Sequence, residues 1–254
     1  MVVAVLLVGL AACSTGQADA PPPSPAVASV PDPAGDGVLR ILFLGNSHTA
    51  HHDVPGTVAA LIRPARPGVR VVAVREPSLM HLQERARHRP TLDLIDSRPW
   101  DYVVLQAQNY STSGRYSYPS DGAESLVHRV RQRGAVAVLY AEWARRGIDE
   151  TGRILDAYGR VAAAGPACLP PVPEAFDRAA PLGLTLLAQD GNHSSPEGAF
   201  LASAVLAGAL LDEDVAGLPA VPGISGDVQR ELRGVADAAL DRVDPSRRCP
   251  ALRP

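Results

Sequence analysis

Two short stretches of this sequence carry residue types able to do covalent chemistry. Leu44-Gly45-Asn46-Ser47-His48-Thr49 directly follows an apolar run, and Asp190-Gly191-Asn192-His193 forms a polar turn late in the chain. A serine hydroxyl is a weak nucleophile near neutral pH; it needs a neighbouring base, itself held by a third group. At a spacing of three residues the Asp190 carboxylate can reach His193 Nδ1, which leaves Nε2 to take a proton from Ser47. Gly45 permits a tight exit from the strand, and Gly191 helps the late turn to close. Ordinary turn chemistry also suits Asn-Ser-His, because Asn and Ser bond their own backbone. Ser194 or Ser195 is equally fit to cap a helix that follows Pro196, and capping does not conflict with a catalytic His193.

Other chemistry-bearing residues fit less well into one site. His48, His51 and His52 are clustered, yet no second group of Cys or His stands at ligand spacing, so no metal site is expected. Trp143 ends an apolar run, as a cleft-lining ring or as a buried anchor. Tyr110, Tyr116 and Tyr118 lie in a polar stretch suited to stacking on sugar rings, or to being a plain loop.

Short β-branched runs alternate with longer amphipathic ones, the rhythm of an α/β fold. Strands are expected at Val38–Leu44, Val69–Val74, Asp101–Gln106 and Ala135–Tyr140. A fifth is expected at Ala167–Leu169 or, failing that, at Leu184–Leu187. Helices are expected near 54–62, 79–88, 122–133, 150–164, 196–211 and 225–243. Near-continuous apolar strands between helices imply a parallel sheet covered on both faces: a three-layer α/β/α sandwich of about five strands. Ligands bind such sheets beyond the carboxyl ends of the strands, which places Ser47 at the crevice.

The chain has 254 residues and a net charge of −3, enough for one full core and without a like-charge run to suit nucleic acid. Every basic side chain is Arg. Val2–Leu10 is apolar but too short to span a bilayer, which is the pattern of an export signal. Leu10-Ala11-Ala12-Cys13 resembles the bacterial lipobox, in which the cysteine is acylated after cleavage. Residues 1–13 are thus expected to be a signal peptide with lipobox, 14–37 a Pro/Ala-rich tether, and 38–254 the catalytic domain. Export would anchor the protein to the cell envelope by a lipid on Cys13, or release it if Cys13 is not lipidated. Cys168 and Cys249 would then occupy a compartment where disulfides persist, and either pair or stay free.

The Ser47 block and the late Asp190-x-x-His193 together resemble the SGNH (GDSL-like) hydrolases. Leu44-Gly45-Asn46-Ser47, Val103-Val104-Leu105-Gln106 and Asp190-x-x-His193-x-Ser195-x-x-Gly198 resemble a bacterial lipoprotein branch of that family. The resemblance implies a flavodoxin-like fold and a triad of Ser47, His193 and Asp190 acting without a cofactor. It also implies an oxyanion hole made of the Ser47 N–H, a backbone N–H after the second strand and a side-chain amide after the third. The family's usual glycine after the second strand is replaced by Arg75-Glu76-Pro77-Ser78-Leu79, which makes Ser78 the candidate there, since Pro77 has no N–H. After the third strand Gln106 and Asn109 are the candidates. The implied reaction is hydrolysis of an acyl ester, with removal of short acyl groups from a carbohydrate or envelope polymer as its expected form. Two other readings stay open: a binding lipoprotein on the same scaffold without turnover, and an acyltransferase.

Overall fold

The computed structural model of the chain describes Met1 and residues 36–250. The apolar run from Val2, Cys13 and residues 14–35 of the expected tether lie outside the described residues. From residue 36 on the described chain is tied to the fold: Asp36 pairs with Arg40, and the Gly37 carbonyl accepts from Arg70 N at 2.9 Å.

Four strands form one parallel sheet: β1 (Val38–Leu44), β2 (Arg70–Arg75), β3 (Tyr102–Gln106) and β4 (Val136–Tyr140), in the order β2-β1-β3-β4. The period-two rule divides their side chains cleanly between two layers. Ile41, Phe43, Val104 and Val138 pack with helices α2 (Val54–Ala65), α7 (Val172–Ala179), α8 (Pro196–Leu211) and α9 (Gly226–Leu240). Leu42, Leu44, Val103, Leu105 and Leu139 pack on the other side. There they meet α3 (Leu82–Arg85), α4 (Arg89–Asp96), α5 (Asp121–Gln132) and α6 (Thr151–Ala164). Helix α8 is apolar all round and buried along nearly its whole length, as a helix must be when it sits between the sheet and other helices.

The expected fifth strand is reduced to one residue. Cys168 bridges Val138 in parallel, giving its N–H to Ala137 O (3.0 Å) and accepting from Leu139 N (2.8 Å). Pro166, Pro170 and Pro171 bracket it, and proline has no N–H for a ladder. Leu184–Leu187 adds no edge strand; Leu187 pairs instead with Ser194 inside a loop. A disulfide joins Cys168 to Cys249, so the C-terminal segment is tied to this edge. Of the helix expected over 79–88 only Leu82–Arg85 forms, and a further helix that was not expected starts at Arg89 with Pro90 in its first turn. Helix α7 lay in a proline-rich stretch that does not read as helical, but Pro173 also falls in a first turn, where its missing N–H costs nothing.

After β1 the chain first pairs β2 on one side and then crosses to place β3 on the other. The carboxyl ends of β1 and β3 therefore flank a crevice, and the residues just after them, 45–53 and 107–120, form its walls.

Candidate active site

The turn after β1 is built by close approach. A Cβ on Gly45 would stand 2.1 Å from Thr49 Oγ1 and 2.6 Å from Gln106 Oε1, so no other residue fits. Asn46 caps the short helix α1 (Ser47–Ala50), its Oδ1 accepting from His48 N at 2.9 Å. Ser47, first in that helix, is half-buried and faces the crevice. Its N–H has no intrahelical acceptor and no other backbone partner among the described residues.

The late turn reaches Ser47 from the opposite side of the sequence. Ser47 Oγ lies 2.8 Å from His193 Nε2, and His193 Nδ1 lies 2.6 Å from Asp190 Oδ2. Asp190 Oδ1 accepts from the backbone N–H groups of Asn192 (2.9 Å) and His193 (3.0 Å), so one carboxylate orients both the ring and its loop. Gly191, at φ 68°, supplies the left-handed residue that the turn requires. The segment after β4 holds the loop from outside: Trp143 Nε1 donates to Asn192 O (2.9 Å), Arg146 N to Gly191 O (2.8 Å), and the Arg146 guanidinium to the Ala188 carbonyl (2.7 Å). Ser195 caps α8, its Oγ accepting from Gly198 N. The helix cap and the Asp190–His193 hydrogen bond therefore coexist in one turn.

Hydrogen bonds from His193 and from the two backbone N–H groups keep the Asp190 carboxyl well below the usual carboxylate range. The His193 ring is stacked between two others, His51 at 4.4 Å between centroids and His48 at 5.0 Å. Burial, then the charges of His193 and His51, push His48 down to about 4, so it is a neutral packing group at physiological pH. No group of three or more His, Cys, Asp or Glu among the described residues is placed to hold a metal ion. Trp143 is the buried anchor rather than an open cleft wall: it is stacked on Phe176 and set edge-on to His48.

The four candidate oxyanion donors divide in two. The Ser47 N–H is available. Asn109 is half-buried in the loop after β3, with its Oδ1 buried and unbonded and its amide N–H₂ given to no described group. Ser78 is otherwise engaged: its N–H and Oγ both donate to the Glu76 carboxylate, at 3.2 and 3.0 Å. Gln106 is a brace, its Oε1 accepting from Asn46 N (2.8 Å) and Thr49 Oγ1 (2.9 Å).

Four buried residues around the site were not singled out from the sequence. Arg85, fully buried, pairs with Glu76 and donates to the carbonyls of Gly45 (2.6 Å) and Ser78, tying the turn after β1 to the turn after β2. Glu142 and Tyr158 lie behind the loop after β3. Glu76 and Glu142 each left a signal, a carboxylate just past the carboxyl end of a strand; Arg85 and Tyr158 left none.

No protein-family model matches the chain, and no curated protein matches it. Solved structures do. A DUF4886 family protein from Bacteroides uniformis superposes with a TM-score of 0.65 at 18% identity, over 81% of this chain and 95% of its own. A protein from Slackia heliotrinireducens, provisionally assigned to the SGNH hydrolases, gives a TM-score of 0.53 at 29% identity over 67% and 97%. A variant of Axe2, an acetyl xylan esterase from Geobacillus stearothermophilus, gives 0.50 at 18% identity over 74% and 100%.

Proposed function

We propose that the chain, whose fold superposes on a protein provisionally assigned to the SGNH hydrolases, is a serine esterase of that kind using Ser47, His193 and Asp190. The observation that carries this reading is the unbroken hydrogen-bond relay from Asp190 through His193 to a serine hydroxyl at the crevice. In the proposed reaction His193 Nε2 takes the Ser47 proton as Oγ attacks the ester carbonyl. The Ser47 N–H and the Asn109 amide bind the oxyanion, and the imidazolium protonates the leaving alkoxide. Water, activated by the same imidazole, then releases the acid. Asp190 holds the ring tautomer and stabilises the imidazolium charge.

For substrate we propose short acyl esters on a carbohydrate or envelope polymer. Tyr116 and Tyr118 support this, being exposed in the 107–120 loop at the crevice end of the sheet, where rings can stack on sugars. We further propose export, with Cys13 lipidated; the support is the apolar run before Cys13 and the Cys168–Cys249 disulfide, a bond that persists in oxidising compartments.

Hydrolysis of p-nitrophenyl acetate and of acetylated xylo-oligosaccharide by residues 36–254 tests the reading. Ser47→Ala and His193→Ala should each lower kcat by at least about 10³-fold, leaving only residual catalysis from binding and the oxyanion donors. Equal rates in wild type and both variants would refute the esterase.

A further inference from the structure

We propose that Glu142 is a positioning residue for this centre, holding the Ser47 turn through Gln106 and the Asn109 loop through Tyr158.

The geometry fixes the direction of the hydrogen bonds on Tyr158 Oη and Gln106 Oε1. Tyr158 Oη accepts from Ala107 N and Gln108 N, each at 3.1 Å. A phenol has two lone pairs and one proton. With both lone pairs used, the proton must go to Glu142 Oε2, 2.6 Å away. Gln106 Oε1 likewise uses both lone pairs, on Asn46 N and Thr49 Oγ1. Its N–H₂ end is therefore turned the other way, onto the Glu142 side, where it is buried without a hydrogen-bond partner among the described residues. Gln106 and Tyr158 are fully buried and Glu142 nearly so, which leaves bulk water little chance to replace a lost partner. The loop so held is strained: Ala107 sits at φ 81°, a conformation a non-glycine residue keeps only when its surroundings impose it. Tyr158 holds it from one side, accepting from Ala107 N and Gln108 N, and Leu82 from the other, its N–H donating to the Ala107 carbonyl at 2.9 Å. The two turns held by Glu142 thus bear the nucleophile and the candidate side-chain oxyanion donor.

A neutral isostere exposes the logic. Glu142→Gln keeps size and burial. If its oxygen stays on Tyr158, its N–H₂ meets the Gln106 N–H₂, two donors face to face. Relief comes by turning one amide, and either Asn46 or Tyr158 then loses its acceptor. Adding Gln106→Glu reverses the polarity and mends it. The carboxylate introduced at position 106 would accept from Asn46, from Thr49 and from the new amide at position 142, whose oxygen in turn accepts from Tyr158.

The proposal rests on the esterase reading for its kinetic consequence only, so two readouts are used. Native-state hydrogen exchange reports the brace without any substrate. In Glu142→Gln the amide of Asn46, or the pair Ala107 and Gln108, should exchange about tenfold faster or more, and the Gln106→Glu/Glu142→Gln double variant should restore protection. In ester hydrolysis Glu142→Gln should lower kcat roughly 10- to 100-fold with KM nearly unchanged, since misplacing a site by about 1 Å can cost 10²-fold, and the double variant should recover most of that loss. Unchanged exchange at all three amides, kcat within about twofold of wild type, or a double variant no better than Glu142→Gln would overturn the proposal. A wild type that hydrolyses nothing defeats the esterase reading instead, and the exchange data still decide the brace.

Discussion

The two halves of the site are stabilised in opposite ways. The acid–base half, Asp190 to His193, is local and open: one hairpin-like turn, partly exposed, with its carboxylate half in solvent. The half that shapes the nucleophile turn and the oxyanion side is buried and long-range, built on Glu76 with Arg85 and on Glu142 with Gln106 and Tyr158. An exposed pair contributes little to stability and here serves to orient a ring. A buried charge tolerates no loss of its partner. Changes in the first half should therefore cost rate and spare the fold, whereas changes in the second should cost both.

The largest expected effect sharpens that contrast. Asp190→Asn should lower kcat by about 10²- to 10⁴-fold, through the wrong imidazole tautomer, while the urea midpoint moves little. A large loss of stability there would erase the distinction between the halves.

Arg85→Met should do the reverse of sparing the fold. Removing the guanidinium strands the Glu76 carboxylate in the core and should cost about 3–5 kcal/mol, read from urea unfolding. Adding Glu76→Gln should return part of it.

A control lies outside both halves. Cys249→Ser opens the disulfide to Cys168, 81 residues away in sequence, and should cost about 2–4 kcal/mol. The kcat for esters should stay unchanged, since neither cysteine borders the crevice.

The smallest expected effect sets two buried groups of the site against each other. Burial holds His48 at about 4, so the stability it contributes is present above pH 6.5 and is lost as pH falls towards 4, where the unfolded chain takes the proton first. Glu142 is pushed up to about 7, chiefly by burial, so the sign is opposite: its contribution is full below pH 4.5 and lost as pH rises through 7. Each is worth at most about 3 kcal/mol at about 1.4 kcal/mol per pH unit. Against wild type, His48→Phe should gain relative stability at pH 5 and Glu142→Gln at pH 8, in paired thermal melts. Gains at the same end of the pH range would contradict the assigned environments.

The same contrast explains what could be read from the sequence. Asp190 and His193 are three residues apart, and Ser47 directly follows an apolar strand, so residue type and spacing were enough to pick all three. The four strands were legible because each is an apolar run, and the fifth was not, because prolines on both sides of Cys168 decide where pairing stops. Glu76 and Arg85 are nine residues apart on different elements, and Glu142 and Tyr158 sixteen. Local pattern marks the carboxylates at the strand ends but not their partners Arg85 and Tyr158, because that pairing follows only from how the loops after β2, β3 and β4 close over one another. Ser78 illustrates the cost: its place after β2 suggested an oxyanion donor, but its N–H is turned onto Glu76.

The most direct test of the central claim is covalent capture of the nucleophile. A fluorophosphonate ester, whose phosphorus accepts an activated serine oxygen, should label wild type once, with the adduct mapped by peptide mass spectrometry to Ser47, and should label His193→Ala at least about 10³-fold more slowly. Labelling at another residue, or at equal rates in wild type and His193→Ala, would contradict the account.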